Sequence, residues 1–304
     1  KVCNERGKKM ITDLTKEHPN KTLWRFLLPM LFSVMFQQIY NIADSMIAGR
    51  FAGEDALAAV GASYPITIIF MAFAVGMNLG ASVVVSRLFG AEDRGGVKRA
   101  VTTAFLSSMA LGIVLTLFGY FYNHQMMQLI RTPQNIMADG VLYLKIGIIF
   151  LMLYNVCTGV FTALGDSKTP LYFLLGSSAG NIILDYIFVA KFHWGVRGVA
   201  WATFIAQGVS AVLALATLLG RLQEFAGEEK QQWFDKRLFG QIMAIAIPSI
   251  LQQSVLSVGN LFVQGIVNQF GSAVVAGYSG AIKLNTFAIN IFMTLGSCLS
   301  SYTA

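Results

Sequence analysis

Apolar residues run along this chain in blocks too long for the helices of an ordinary soluble domain, and only short polar breaks separate them. Four blocks free of charge come first: Phe26 to Ala43, Ala56 to Ser86, Ala100 to Met127 and Ile146 to Gly165. Each is close to or beyond the roughly 20 residues that a helix needs to cross the hydrocarbon core. Thr169 to Leu184, extended past Asp185 to Ala190, and Gly198 to Gly220 add a fifth and a sixth span. The stretch from Leu238 to Ile282 outlasts one crossing and must turn, with its natural break at Asn268 to Ser272, where polar and glycine turn chemistry interrupts the pattern. A last helix then runs from about Ala273 to the end, which makes eight. The pattern predicts an all-α polytopic membrane protein.

Composition agrees. Of 304 residues 55% are hydrophobic and 12% charged, about half the charged share of a soluble domain. A formal charge of +7 would point a soluble protein toward nucleic acid, but here Lys and Arg sit in the breaks between spans, so no nucleic acid partner is expected. With the N-terminus in the cytoplasm, the inner segments hold sixteen basic residues: Lys1, Arg6, Lys8, Lys9, Lys16, Lys21, Arg25, Arg87, Arg94, Lys98, Arg99, Lys168, Arg221, Lys230, Lys236 and Arg237. The outer segments hold four, Arg50, Arg131, Lys191 and Arg197. The positive-inside rule therefore orients the chain N-terminus in. Lys1 to Asn20 has neither an initiator Met nor a signal-peptide core and reads as a trimmed cytoplasmic tail. Cys3, Cys157 and Cys298 lie far apart, with no metal-ligand or disulfide spacing, and read as packing residues.

Shifting the chain by 219 residues lays Pro29 on Pro248, Asn41 on Asn260, Ile47 on Ile266, Phe51 on Phe270 and Gly61 on Gly280. Helices one and seven read as duplicates. Six helices intervene, so both copies start from the same side, which is a parallel repeat about an axis along the membrane normal. The expected organisation is a tail (1–20), a first lobe of helices one to six (21–220), a cytoplasmic linker (221–237) and the start of a second lobe with helices seven and eight (238–304). Two complete six-helix lobes would hold twelve helices.

Ionisable groups in mid-membrane cost roughly 2.5 to 3.5 kcal/mol on insertion scales, so each is a functional candidate. On helix one Asp44 shares a face with Gln37 and Asn41, at i−7 and i−3, with Tyr40 on the flank. On helix five Asn181 and Asp185, four residues apart, project together from an otherwise apolar run. The plainer role for such groups is to hold helices together by hydrogen bonds. The repeat argues against it for the acid: Asp44 falls on Val263 and Gln37 on Leu256, so the second copy keeps the proline and loses the carboxylate. Carboxylate, amide and hydroxyl oxygens suit H⁺ or Na⁺, and two nearby carboxylates repel until one such cation arrives. Pro29 and Pro248 each interrupt an apolar helix and mark hinge candidates.

The run from Pro29 to Asp44, the phrase Ala163-Leu164-Gly165-Asp166-Ser167-Lys168-Thr169-Pro170, the pair Asn181 and Asp185, and the phrase from Gly195 to Thr203 together resemble the multidrug and toxic compound extrusion (MATE) family, most closely its DinF-like branch. The resemblance runs from about Lys21 to the end. It implies a twelve-helix antiporter of the cytoplasmic membrane of a bacterium or archaeon, moving organic cations or other amphiphiles in exchange for H⁺ or Na⁺ by alternating access. It implies a cation site at Asp44, Asn181, Asp185 and Thr203, a substrate cavity that Gln37, Tyr40, Asn41 and Asn155 help to line, and bending about Pro29. No cofactor beyond the coupling ion, no other metal and no enzyme activity are expected, and the protein is expected to work as a monomer among membrane lipids. A lipid-linked sugar flippase of the same superfamily is the closest rival. It would want a cationic cavity, and Lys145 is the only basic residue inside the first six spans. An intramembrane aspartyl protease is remote, because neither a Tyr-Asp nor a Gly-x-Gly-Asp phrase is present.

Overall fold

The computed structural model describes residues 19–129, 134–145, 149–222, 233–267, 285–286 and 288–300. All regular structure among them is helical. In chain order the helices are α1 (Pro19–Ile47), which continues into a π-helical turn at Ala48–Ala52, α2 (Glu54–Gly90), α3 (Arg94–Leu129), α4 (Gln134–Lys145), α5 (Ile149–Ala163), α6 (Lys168–Asp185), with a second π-helical turn at Tyr186–Lys191, α7 (Val196–Leu222) and α8 (Lys236–Val267). A shorter apolar helix, α9, spans Ala288–Ser300.

Among the described residues five helices are long and apolar enough to cross a bilayer, and α4 with α5, bent by 48° between them, would make a sixth taken as one span. The apolar stretch Leu27–Ile39 of α1 and the helix α9 are two shorter apolar helices, so the described residues hold five or six full spans against the eight expected. Span four lies where expected, its helix α5 running from Ile149 to Ala163, but a further helix the sequence pattern did not mark, α4, precedes it from Gln134 to Lys145. The charge of Lys145 hid that helix. Lys145 is exposed, and its ammonium lies 5.7 Å over the ring of Tyr120 on α3. The break expected at 268–272 lies outside the described residues.

The repeat has a structural counterpart. Moving Pro19 and Ile47, the ends of α1, by 219 gives 238 and 266, and α8 runs from Lys236 to Val267. Pro29 and Pro248 both lie inside their helices.

α2 is the central helix, packed by α3, α4, α5 and α8. It is apolar all round, and small residues let neighbours approach its backbone closely. At Gly80 a Cβ would stand 2.6 Å from the Ile242 carbonyl oxygen of α8, and at Gly76 it would meet the carbonyl of Ala246 at 2.9 Å. Side-chain packing between α1 and α9 joins Leu27, Met30 and Leu31 to Leu295 and Cys298. The α2–α8 contact and this one are the contacts by which helices one and two meet seven and eight.

Three helices that start at the same end of the bundle are opened by aspartates. Asp93 accepts from the Gly96 N–H (2.7 Å) before α3, Asp166 from Lys168 N–H (3.1 Å) and Thr169 N–H (3.0 Å) before α6, and Asp235 from Arg237 N–H (2.8 Å) before α8. Each carboxylate satisfies backbone donors that a helix start leaves without partners. At that end Arg221, which the sequence assigns to the linker, lies in the last turn of α7 and is buried against Asp166.

Candidate functional site

Asn181 and Asp185 face the same way from α6, one turn apart, and are 1% and 0% exposed. An apolar run keeps the helix regular up to Asp185, where the wider π-helical turn begins. Such turns displace one backbone bond and occur often beside functional groups. α7 packs against α6 and brings Thr203 alongside. With the Asn181 amide turned so that its nitrogen faces the acid, Nδ2 donates to Asp185 Oδ2 at 3.0 Å, and Oδ1 accepts from the Thr203 backbone N–H at 3.0 Å. The opposite orientation gives Nδ2 donating to Thr203 Oγ1 at 3.4 Å. The first satisfies both ends of the amide and is the better assignment. Three of the four cation-site candidates therefore come together.

The fourth, Asp44, lies three residues before the end of α1. α1 packs against α6, and the π-helical turns that end the two helices meet, with Phe51 edge-on to Tyr186 at 5.8 Å between ring centroids. The helix carrying Asp44 thus adjoins the helix carrying Asp185. The side chains of Asp44, Tyr40 and Asn41 lie outside the described residues. Gln37 is exposed, one helical turn before Tyr40.

Beyond Asp185, Val189 and Val199 are fully buried and pack with Ala52 and Tyr143, which closes the site on the side of the α6–α7 hairpin. A cavity of about 120 Å³ adjoins it, lined by Thr67, Phe70, Tyr143, Thr203, Phe204 and Gln207 among others. Tyr143, Thr67 and Gln207 are polar groups that the sequence pattern did not single out. Nothing in their spacing separates them from ordinary helix residues, and only the fold brings α2, α4 and α7 to one cavity.

Asn155 behaves differently. Its Nδ2 donates to the Leu151 carbonyl of its own helix (2.8 Å), and its own carbonyl accepts from Asn78 Nδ2 on α2 (2.7 Å). The side chain that joins the two helices is that of Asn78. Among the described residues no group of three or more His, Cys, Asp or Glu could hold a metal ion. The site's donors are instead carboxylate, amide and hydroxyl oxygens.

Comparison with known proteins agrees with this fold. The MatE family model matches residues 29–187, from the helix-one proline through Asn181 and Asp185. The chain is 28% identical over 293 residues to a probable multidrug resistance protein, YpnP, of Bacillus subtilis, covering 95% of this chain and 65% of that protein. It is 24% identical over 278 residues to the multidrug export protein MepA of Staphylococcus aureus, covering 90% and 62%. A MATE crystal structure in the straight conformation superposes with a TM-score of 0.88 at 23% identity, over 97% of this chain and 67% of that one. An outward-facing multidrug resistance MATE transporter gives 0.86 at 23%, over 97% and 66%. The chain thus spans a little under two thirds of the length of these curated relatives. With the family model matched over more than half of its residues and the fold shared throughout, this chain belongs to the MatE family.

Proposed function

We propose that the protein is a secondary antiporter that moves amphiphilic or cationic small molecules out of the cell in exchange for H⁺ or Na⁺. The observation that carries this reading is the fully buried Asp185 held by Asn181, with Thr203 on the adjacent helix. A carboxylate removed from water in a membrane bundle is expensive to keep unless it binds a charge. Asp44 on the neighbouring helix supplies the second carboxylate, and one H⁺ or Na⁺ between them relieves their repulsion. The oxygen donors fit either ion. The DinF-like branch, where both acids belong to the first lobe, is the subgroup this arrangement suits.

The N-terminus is cytoplasmic and the membrane is the inner one, as the sixteen-to-four distribution of basic residues supports. Residues 21–220 form the first lobe and 238–304 begin the second. In this orientation the α2–α8 and α1–α9 contacts both lie in the cytoplasmic halves of their helices. Toward the outer end of α8, Leu251, Val255 and Phe262 are exposed. The arrangement suits a state closed toward the cytoplasm, and alternating access then requires those two contacts to part as α1 and α8 bend about Pro29 and Pro248. A membrane potential of 100 mV adds about 2.3 kcal/mol per charge moved, enough for more than tenfold accumulation.

The flippase reading loses its main support because Lys145 points at Tyr120 and is exposed. The test is efflux of a fluorescent organic cation from proteoliposomes holding the full-length protein, under an imposed pH or Na⁺ gradient, beside Asp44→Asn and Asp185→Asn. One gradient driving wild type and neither driving the variants supports the antiporter and names the ion. Wild-type transport by both variants rejects the site.

A further inference from the structure

At the far end of the α6–α7 hairpin a groove of about 450 Å³ lies outside the cation site, lined by Phe188, Trp194, Arg197, Trp201 and Ile205. Trp194 stacks on Phe188 with ring centroids 5.0 Å apart, and Phe192 lies 5.7 Å from the same indole. Packing of this kind would bury aromatic rings in a soluble protein. Here Phe192, Trp194 and Trp201 are all exposed, at the level where the two helices leave the bilayer. The groove holds two of the chain's four tryptophans, and indoles favour the headgroup boundary.

Charge distinguishes the groove from an ordinary aromatic belt. Arg197 is in its wall, and Lys191 precedes it across the tight turn formed by His193 and Gly195, both at a φ of +55°. Among the described residues neither cation pairs with a carboxylate. Both are exposed, and they are two of the four basic residues in the segments assigned outside, where the positive-inside rule disfavours them. From Arg197 the wall follows steps of four residues through Trp201 to Ile205, and exposed Val209 and Leu213 continue the series along α7. A cationic mouth therefore opens onto an apolar track directed into the bilayer.

We propose that this groove binds one anionic phospholipid, with its phosphate between Arg197 and Lys191 and an acyl chain along Trp201 and Ile205. The polar end matches a phosphate and the long end matches an alkyl chain, a combination that no soluble anion satisfies. The lipid belongs to the outer leaflet if the N-terminus is cytoplasmic, and this is the one point that rests on the orientation proposed above. Held there, the lipid braces the π-helical turn Tyr186–Lys191 that directly follows Asp185.

The test uses the full-length protein with every tryptophan other than Trp194 and Trp201 changed to Phe, Trp24 and Trp233 among them, so that the groove tryptophans report. It is reconstituted in phosphatidylcholine vesicles carrying chain-brominated phosphatidylglycerol or, at equal mole fraction, chain-brominated phosphatidylcholine. Bromine quenches tryptophan only on contact. The expected result is quenching that favours phosphatidylglycerol by about fivefold or more in apparent occupancy, the scale set by basic residues at a membrane surface. Lys191→Gln with Arg197→Gln should abolish that preference and leave quenching by phosphatidylcholine as it was, which also shows that the variant is folded. Lys191→Arg with Arg197→Lys should retain it. Equal quenching by both lipids in the parent protein overturns the proposal, as does a preference that survives in the Gln pair. Loss of the preference on adding inorganic phosphate at constant ionic strength overturns it too, since the mouth would then be a plain anion site. The readout depends on neither transport nor topology, so failure leaves the antiporter reading standing.

Discussion

The guanidinium of Arg221, in the last turn of α7, pairs with the carboxylate of Asp166 in the turn between α5 and α6, and both side chains are buried. Thr169 completes the cluster: its hydroxyl donates to Asp166 Oδ2 (2.6 Å) and accepts from Arg221 Nη2 (3.0 Å). The guanidinium also covers the ring of Phe161 at 5.2 Å. Removing one partner of a buried pair leaves a desolvated charge, which costs about 3 to 5 kcal/mol. Arg221→Met is therefore expected to lower the unfolding free energy by about that amount. Adding Asp166→Asn should recover part of it, but not all, because Asp166 also caps α6. Unfolding of the purified single and double variants checks this, and a double variant less stable than Arg221→Met rejects the pair as the source of the loss.

In the preferred orientation of its amide, Asn181 accepts from the Thr203 backbone N–H and makes no bond to the hydroxyl. Thr203→Val removes only the hydroxyl, so the Asn181 amide keeps its acceptor contact and continues to hold Asp185. Asn181→Leu removes the group that bridges the two helices and leaves Asp185 without that donor, a loss of about 1.5 to 3 kcal/mol for a hydrogen bond to a charged group. Na⁺ binding, followed as stabilisation by added Na⁺, is expected to weaken by tenfold or more in Asn181→Leu and by less in Thr203→Val. The reverse order would show that the hydroxyl, and not the amide, contacts the ion.

Much of this was legible in the residues. Spans two, three, five and six followed from apolar length, because a bilayer leaves long uncharged helices as the simplest way to satisfy the backbone. Asn181 and Asp185 stood out for the same reason: polar groups four apart in an apolar run must share a face. Three things were hidden. The helix α4, which precedes span four, was masked by Lys145 in its last turn, whose long side chain turns outward to Tyr120. Arg221 read as linker because nothing local announces that Asp166, 55 residues earlier, comes to meet it. Tyr143 beside Thr203 was equally unreadable, since its role depends on α4 packing against α7. Partners distant in sequence leave no mark in periodicity or spacing.

Cys298 tests the proposed closure at the α1–α9 contact. It is 0% exposed where α9 packs against Leu27 of α1, whereas Cys157, also 0% exposed, lies in the core around α2 and α5. If the α1–α9 contact parts during transport, a membrane-permeant maleimide should label Cys298 when a saturating substrate or an inward cation gradient opens the cytoplasmic side. Cys157 should stay unlabelled throughout. With Cys3 changed to Ser, mass spectrometry of the labelled protein separates the two sites. Labelling of Cys298 at one rate under all conditions would mean that this contact does not move.

Gly80 tests the other half of the same closure. A side chain there meets the Ile242 carbonyl at 2.6 Å, and a backbone atom cannot step aside as a rotamer can. Gly80→Leu therefore forces α2 and α8 apart where Gly80 meets Ile242, while the surroundings of Asn181 and Asp185 are left alone. Cation binding should persist, transport should fall by tenfold or more, and a cysteine pair placed across the α2–α8 contact should crosslink poorly compared with the same pair in the parent. Gly176, where an added methyl group would meet only open space, is the control: Gly176→Ala should leave all three measurements unchanged. Full transport in Gly80→Leu would show that close approach of α2 to α8 is packing alone, because a contact that gates the pathway cannot be held open without stopping the cycle.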